Sequence, residues 1–372
     1  MTDKDYMLHA IELAGNGIGA VDPNPLVGAV IVKDGRIIGE GYHARYGDLH
    51  AERNAFKNLT ESAEGATIYV TLEPCCHHGK QPPCTDAILE NKIAKVVIGS
   101  RDPNPLVSGK GAAILRAAGV EVVEDYMKEE CDKLNPVFFH YIITNTPYVA
   151  MKYAMTADGK IATCTGESKW ITSAKAREYV QEMRIRYTGI MAGIGTVLAD
   201  DPMLTVRVDG KRSPIRIICD SSLRIPLESN IVKTSDKYKT IVACALSEEN
   251  FSADTSLSSK RSALEKAGVT ILYVPDENEK VDLKKLMEKL GKMKINGILL
   301  EGGGTLAYSA VESNIVNELN VFIAPKLFGG RDSKTPVEGC GILHPSDAVM
   351  LDLCDIRRIG EDILLNYRVK GA

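Results

Sequence analysis

In the first quarter of the chain, one imidazole and two thiols stand at spacings that suit a metal. His50-Ala51-Glu52 opens a predicted helix, Glu73-Pro74-Cys75 closes a predicted strand, and Cys84 follows a Pro-containing stretch. Zinc takes nitrogen and thiolate ligands. A catalytic site uses three of them and keeps the fourth position for water, whose pKa the metal lowers towards neutrality. Glu52 can then handle protons without occupying the metal. Cys75 is expected just after a strand, with Pro74 at a helix start, where thiolate is favoured over thiol. Other assignments stay open on the residues alone. Cys76, His77 and His78 can complete a closed structural site, which would leave Glu52 idle, and Cys76 can stand in for Cys75.

The second half offers a different motif. Gly302-Gly303-Gly304-Thr305 lies between a predicted strand at 298–301 and a helix-like stretch at 306–311. Glycines let backbone N–H groups approach an anion, and a helix start favours negative charge. The run is not the dinucleotide pattern G-x-G-x-x-G, and a plain tight turn is equally open.

These motifs need elements to hold them. Residues 6–14 place Met7, Leu8, Ile11 and Ala14 on one helical face. Predicted strands at 27–32 and 36–41 flank Asp34-Gly35, a hairpin signal. Helices are expected at 50–59, 85–91 and 111–118, and strands at 66–72, 95–99 and 120–123, which is a three-layer α/β pattern. Residues 127–144 read as helical, interrupted by Pro136, and Asn145-Thr146-Pro147 breaks the pattern. The expected domains are therefore 1–146 and 147–372. The second is also α/β, with helices at 174–187 and 283–293. Its strands are expected at 148–153, 190–192, 215–219, 240–245, 269–274, 298–300, 319–324 and 363–369. Asp22-Pro23-Asn24-Pro25-Leu26-Val27 reappears as Asp102-Pro103-Asn104-Pro105-Leu106-Val107. Turn chemistry explains the echo, and two such turns beside strands can also converge on one crevice.

Composition excludes several classes. The 372 residues suit two to three domains at about 150 residues each. Lys and Arg number 45 against 49 Asp and Glu, a net charge of −4, so no basic excess exists to hold a nucleic-acid backbone. Hydrophobic residues make up 44%, yet no apolar run reaches the length of a membrane span. The polar start, Met1-Thr2-Asp3-Lys4-Asp5, is unlike a signal or transit peptide, so a cytoplasmic location is expected. The nine cysteines are odd in number, and six are scattered, which suits small buried hydrophobes better than a disulfide framework.

The His-x-Glu and Pro-Cys pair resembles the zinc-dependent cytidine-deaminase superfamily. The two cysteines here are farther apart than that signature requires. The run from Thr71-Leu72-Glu73-Pro74-Cys75 to Pro82-Pro83-Cys84, with both Asp-Pro-Asn-Pro turns, resembles the deaminase half of the bifunctional riboflavin-biosynthesis deaminase–reductases. Met151-Lys152-Tyr153-Ala154-Met155, Gly166-Glu167-Ser168-Lys169-Trp170 and Gly195-Thr196-Val197-Leu198-Ala199-Asp200-Asp201-Pro202 resemble their reductase half, which is similar in fold to dihydrofolate reductases. The resemblance runs from about residue 4 to residue 369.

It implies a cytidine-deaminase-like α/β/α domain followed by a dihydrofolate-reductase-like α/β domain. It implies Zn2+ held by His50, Cys75 and Cys84, with Glu52 as the proton carrier; the family pattern favours Cys75 over Cys76. Deaminase substrate contacts are expected at Asn24, His43, Lys80 and Asn104, with Asp102 nearby. Lys80 can meet a substrate phosphate with His77 or His78, or be an ordinary exposed lysine. NADPH contacts are expected at Ala154, Trp170, Thr196, Asp200, Ser221 and Gly303 to Ser309, including Gly304 and Thr305. Reductase substrate contacts are expected at Lys152, Ser168, Arg184, Leu204, Arg207 and Glu301. Arg184 and Arg207 suit a sugar phosphate, because a guanidinium fork binds it bidentately. No sequence feature by itself selects NADPH over NADH.

The implied activity has two steps. Zinc hydroxide deaminates 2,5-diamino-6-ribosylamino-4(3H)-pyrimidinone 5′-phosphate. NADPH then reduces the ribosyl side chain to give 5-amino-6-ribitylamino-uracil 5′-phosphate. The expected partner is this small phosphorylated pyrimidine, with no nucleic acid and no membrane, and the family implies a homo-oligomer through the second domain. An RNA deaminase would leave residues 147–372 unexplained, and a zinc-stabilised scaffold would need four protein ligands.

Overall fold

Strand residues of the first half alternate between two apolar faces, and that alternation builds its layers. A computed structural model describes residues 1–78, 81–105 and 107–371. The chain divides into two units, Met1–Asn145 and Thr146–Ala372. The first contains α1 (Asp3–Gly15), β1 (Gly28–Lys33), β2 (Arg36–Tyr42), α2 (Ala51–Lys57), β3 (Thr67–Leu72), α3 (Cys84–Glu90), β4 (Lys95–Ser100), α4 (Lys110–Ala117), β5 (Glu121–Val123), α5 (Lys128–Asp132) and α6 (Pro136–Thr144). Its sheet runs β2-β1-β3-β4-β5. β1 is antiparallel to β2 and β3, and β3, β4 and β5 are parallel. Asp34 (φ 50°) and Gly35 (φ 72°) both take the left-handed conformation that the hairpin turn requires.

On one face of this sheet Ile31, Ile68, Val70, Val96 and Ile98 pack with Ala51 and Ala55 of α2, Ile88 of α3 and Leu115 of α4. On the other, Val30, Val32, Tyr69 and Val97 meet Tyr6, Met7 and Ala10 of α1 and Cys131 of α5. Neighbouring strand residues thus serve opposite layers, as the period of two demands. The helical stretch at 127–144 is interrupted at Pro136 as expected and forms two helices, because Pro136 cannot continue α5 but fits the first turn of α6, where its missing N–H costs nothing. One expectation needs correction. No helix starts at Pro74; the helix of this region begins at Cys84.

The second unit contains β6 (Tyr148–Thr156), α7 (Ala174–Arg186), β7 (Gly189–Gly193), α8 (Ile194–Asp200), β8 (Ile215–Cys219), α9 (Asn230–Lys233), β9 (Thr240–Cys244), α10 (Glu248–Ala253), α11 (Thr255–Lys266), β10 (Val269–Tyr273), α12 (Leu283–Lys292), β11 (Gly297–Leu300), α13 (Gly304–Glu312), β12 (Glu318–Ala324), β13 (Leu351–Ile359) and β14 (Asp362–Val369). Its sheet runs β10-β9-β8-β7-β11-β6-β12-β14-β13. The strands are parallel except β14 and β13, which close the edge as an antiparallel hairpin. Met191, Ile217, Ile241 and Leu300 face α12 and α13, while Ile190, Ile218 and Val242 face Ile231 of α9 and Leu264 of α11. Helices α8 to α11 and strand β13 have no counterpart in the sequence reading. α11 buries Leu264 but is otherwise mostly polar, and β13 lies at the edge with most of its side chains exposed, so neither shows an apolar stripe.

The seating of α2 depends on two glycines of β2. A Cβ on Gly41 would stand 2.4 Å from the Ala55 nitrogen, and one on Gly39 would stand 2.6 Å from the Ala55 carbonyl oxygen. Backbone cannot yield as a flexible side chain does. Gly41→Ala is therefore expected to cost about 1–3 kcal/mol of unfolding free energy. Gly15→Ala, where a Cβ meets nothing within 4 Å, should stay within about 0.5 kcal/mol. Urea denaturation of both variants checks this; equal losses would overturn it.

Candidate functional site

In the first unit the backbone does the converging. His50 caps α2, and its carbonyl accepts the Asn54 N–H at 2.9 Å. The Asn54 side chain donates to the Tyr42 carbonyl at 2.8 Å, pinning the helix start to β2. Cys75 follows β3, the chain loops out, and it returns at Cys84, the first residue of α3. The Cys75 carbonyl accepts the N–H groups of Cys84 (3.0 Å) and Thr85 (3.2 Å), so two residues nine apart in sequence meet as neighbours. Arg53 ties the return to α2 by donating to the carbonyls of Pro82 (3.2 Å) and Pro83 (2.8 Å).

The result is a compact ligand set. His50 Nδ1 lies 3.5 Å from Cys75 Sγ and 3.4 Å from Cys84 Sγ, and all three atoms fall within 4.8 Å of one another. Tetrahedral zinc, with Zn–S of about 2.3 Å and Zn–N of about 2.0–2.1 Å, spaces nitrogen and sulfur ligands about 3.6 Å apart. The donor set and its spacing therefore fit Zn2+. Among the described residues no fourth His, Cys or carboxylate joins the group. Cys76 is not part of it, and His77 and His78 are exposed. A hydrogen bond from the Cys84 thiol, helped by the His50 ring, holds Cys75 well below the usual thiol range, while the same bond and burial push Cys84 up. This shared proton is what a dication would displace.

A cavity of about 340 Å³ opens beside the ligands. Glu52 lines it and is 3% exposed; burial, then the nearby Cys75 sulfur, pushes its carboxyl up to about 6, a useful value for moving protons near neutrality. Asn24, His43, Asp102 and Asn104 line the same cavity, so both Asp-Pro-Asn-Pro turns do reach one crevice. His43 Nδ1–H donates to the Leu49 carbonyl at 3.0 Å, which leaves Nε2 to accept from the Asn24 amide at 3.1 Å. Burial lowers the His43 pKa, in keeping with a neutral ring. Lys80 lies outside the described residues.

Sequence reasoning missed several residues here. Phe138, Tyr141 and Ile142 of α6 form a wall of the cavity. Asn135, just before α6, exchanges hydrogen bonds with the Leu26 backbone at 2.7 and 2.8 Å and so holds the Asn24 turn. Glu73 accepts N–H bonds from Gly109 (2.9 Å), Gly111 (3.1 Å) and Ala112 (3.3 Å), anchoring the strand end that bears Cys75 to the start of α4. The strong apolarity of α6 was the one available signal; the polar anchors left none.

In the second unit a cavity of about 710 Å³ lies at the C-terminal ends of β7, β8 and β11, where parallel sheets bind ligands. Ser168, Thr196, Asp200, Ser221, Glu301, Gly303, Gly304 and Thr305 line it. A Cβ on Gly303 would meet only Thr196 Oγ1, at 3.8 Å, so the bare backbone leaves a cradle at the start of α13. Gly304 has a packing reason instead: its Cβ would stand 2.7 Å from the Thr335 carbonyl oxygen. The cradle, the helix start and the cavity fit a dinucleotide such as NADPH.

Not every expected residue arrives there. Ala154, Trp170, Leu204 and Arg207 do not line the cavity. Trp170 is 57% exposed under the Arg177 guanidinium, Leu204 is in the core beside Ile190, and Arg207 is exposed. Arg184 has a different bidentate partner from the phosphate expected: its fork grips Glu301 at 2.7 and 3.1 Å, and its remaining arm donates to the Thr205 carbonyl at 2.9 Å. Lys152 stands 3.8 Å from the same carboxylate. Burial alone would push Glu301 up, but the charges of Arg184 and Lys152 outweigh it and hold the carboxyl down to about 2.

Comparisons with known proteins agree along the whole chain. The cytidine and deoxycytidylate deaminase zinc-binding region matches residues 1–100, and the RibD C-terminal domain matches residues 147–365. The riboflavin biosynthesis protein RibD of Actinobacillus pleuropneumoniae is 55% identical over 369 residues, 99% of this chain and 96% of that one. That of Aquifex aeolicus is 40% identical over 98% of each. Acinetobacter baumannii RibD superposes with a TM-score of 0.86 at 36% identity over 99% of each chain. A diaminohydroxyphosphoribosylaminopyrimidine deaminase/5-amino-6-(5-phosphoribosylamino)uracil reductase from Thermotoga maritima gives 0.85 at 36% over 98% of each.

Two outcomes test these geometries. Cys75→Ser and Cys84→Ser should each strip the chain of zinc by elemental analysis, while Cys76→Ser retains about one ion per chain; loss with Cys76→Ser would break the assignment. Glu301→Gln should cost about 3–5 kcal/mol at pH 7 because it leaves buried cations unpaired. Glu301 is depressed in the folded state, so its contribution is present above the unfolded value of about 4.3 and fades as pH falls towards about 2. The stability gap between wild type and Glu301→Gln should therefore be flat from pH 7 to about 5 and narrow below. A gap independent of pH would contradict it.

Proposed function

The chain belongs to the RibD family of bifunctional riboflavin biosynthesis enzymes, and on that premise we propose that residues 1–146 are its zinc-dependent pyrimidine deaminase and residues 147–372 its NADPH-dependent reductase. The observation that carries this reading is the meeting of His50, Cys75 and Cys84 at the edge of a cavity that the buried Glu52 also lines. The substrate is 2,5-diamino-6-ribosylamino-4(3H)-pyrimidinone 5′-phosphate, and the final product is 5-amino-6-ribitylamino-uracil 5′-phosphate.

His50 Nδ1 and the sulfurs of Cys75 and Cys84 hold Zn2+ in this reading. When bound, the metal supplies Lewis acidity and makes water a nucleophile at neutral pH. The Glu52 carboxylate takes a proton from the attacking water and passes it to the departing nitrogen, so a C–O bond replaces the exocyclic C–N bond and ammonia leaves. A neutral His43, fixed by the Leu49 carbonyl, orients the Asn24 amide towards the pyrimidine. Asn104 adds a further polar contact, and Lys80 a phosphate contact.

In the second unit Thr196, Asp200, Ser221, Gly303, Gly304 and Thr305, which all line the cavity, hold the cofactor. NADPH supplies the hydride for the ring-opened ribosyl carbon. Glu301, clamped by Arg184, presents a fixed carboxylate to the cavity, and Lys152 behind it supplies positive charge. Ser168, on the same lining, is the remaining proposed substrate contact; Leu204 in the core and Arg207 off the cavity are not among them. The same reading takes the protein as a cytoplasmic homo-oligomer joined through residues 147–372, bound to neither nucleic acid nor membrane. Exposed Leu353 and Ile356 on edge strand β13 and Ile363 on β14 support that contact, and no helix among the described residues is long and apolar enough to cross a membrane.

Mass spectrometry of the diaminopyrimidine substrate incubated with the enzyme tests the proposal. Without NADPH the deaminated product alone should form; with NADPH the deaminated and reduced product should follow. Glu52→Gln should lower ammonia release by about 10²-fold or more. Undiminished release from that variant would refute the role given to Glu52.

A further inference from the structure

The cavity of the second unit carries more charge than the cofactor's diphosphate explains. Its glycine turn sits after β11. Across the sheet, after β8, the lining continues through Ser221, Ser222 and Arg224, and Lys280 joins from the turn before α12. In the sheet β8 and β11 both flank β7, so their ends lie about 10 Å apart at a strand spacing of about 4.8 Å.

Among the described charged groups of this lining the acidic ones have partners and Arg224, Lys280 and Lys334 do not; Lys334 lies on the chain after β12, where its carbonyl accepts the Ile161 N–H. Asp200 is met by Ser168 and Lys169, and Glu301 by Arg184. Arg224 and Lys280 are exposed, and neither side chain has a hydrogen bond or ion pair among the described residues. Yet Lys280 is not on a loose loop. Its N–H donates to Asp276 Oδ1 at 2.7 Å and its carbonyl accepts the Asp276 N–H at 2.8 Å, while Pro275 and Val281 bridge the base of the turn. Leu223 and Ile225, on either side of Arg224, are buried in the core. Two cations without carboxylate partners are thus held on firm backbone and line the same cavity as Ser222.

We infer that Arg224, Lys280 and Ser222 read the 2′-phosphate of the cofactor and thereby select NADPH over NADH. The inference rests on the reading of this cavity as the cofactor site. A phosphate monoester carries nearly two negative charges and three acceptor oxygens, which one guanidinium, one ammonium and one hydroxyl satisfy, whereas the free 2′-hydroxyl of NADH offers them no charge. An arginine beside the ribose is a general physical solution to this discrimination.

Isothermal titration of the full chain with NADPH, NADH, 2′,5′-ADP and 5′-ADP tests it. Wild type should bind NADPH and 2′,5′-ADP more tightly than their counterparts. Arg224→Ala and Lys280→Ala should each weaken NADPH and 2′,5′-ADP about tenfold, leave NADH and 5′-ADP unchanged, and keep the wild-type melting temperature. Equal weakening of both cofactors, or preserved discrimination in the double variant, would overturn the inference while leaving the cofactor reading intact. Failure of wild type to bind any of the four would overturn both.

Discussion

The cluster of His50, Cys75 and Cys84 depends on one backbone junction: the Cys75 carbonyl receives two N–H groups from the first turn of α3. Without that junction, the chain between Cys75 and Cys84 would be a loop with a thiol at each end. With it, the loop becomes an excursion, and both sulfurs face the same imidazole. The surrounding anchors serve this meeting. Glu73 ties the strand end to α4, Arg53 ties the returning chain to α2, and the bare backbone of Gly39 and Gly41 lets α2 approach the sheet closely enough to bring His50 and Glu52 into range. A site that must hold a metal within tenths of an ångström is supported by a shell of such contacts.

The second unit handles buried charge in two ways. Arg184 and Lys152 share one carboxylate, Glu301, which reaches the cavity. Arg216 on β8 is wholly buried with neutral partners: the carbonyls of Met203, Ile231 and Tyr238 and the hydroxyls of Thr234 and Thr240. Burial lowers it to about 10, so it stays charged at neutral pH. The first arrangement places charge where a ligand can meet it. The second spends a guanidinium fork on stitching α9 and the chain around Met203 to the sheet, because five fixed donors can satisfy several carbonyls at once.

Legibility followed the type of signal. Strands β1, β3, β4, β8 and β9 were readable as short, nearly continuous apolar runs, buried on both faces, and helices α7 and α12 because their apolar residues recur at the helical period. The hairpin at Asp34-Gly35 was readable because few residues accept a left-handed turn. Helix α11 and strand β13 were not, since each is half in solvent or at an edge and lacks an apolar stripe. Helix α6 was readable as a helix but not as a cavity wall, because nothing local says which of its apolar faces a ligand would meet.

By itself the sequence determined the donor chemistry: which imidazole, thiols and carboxylate stand available, and which glycines leave backbone bare. Donor types are properties of single residues, and their order survives in any conformation. Only the tertiary structure decided partners. It separated Cys75 from Cys76, gave Arg184 to Glu301, moved Trp170 to the surface and left Arg224 and Lys280 unpaired on a rim. Those outcomes turn on distances between residues far apart in the chain, which are set by the packing of whole elements against one another and are written in no local pattern.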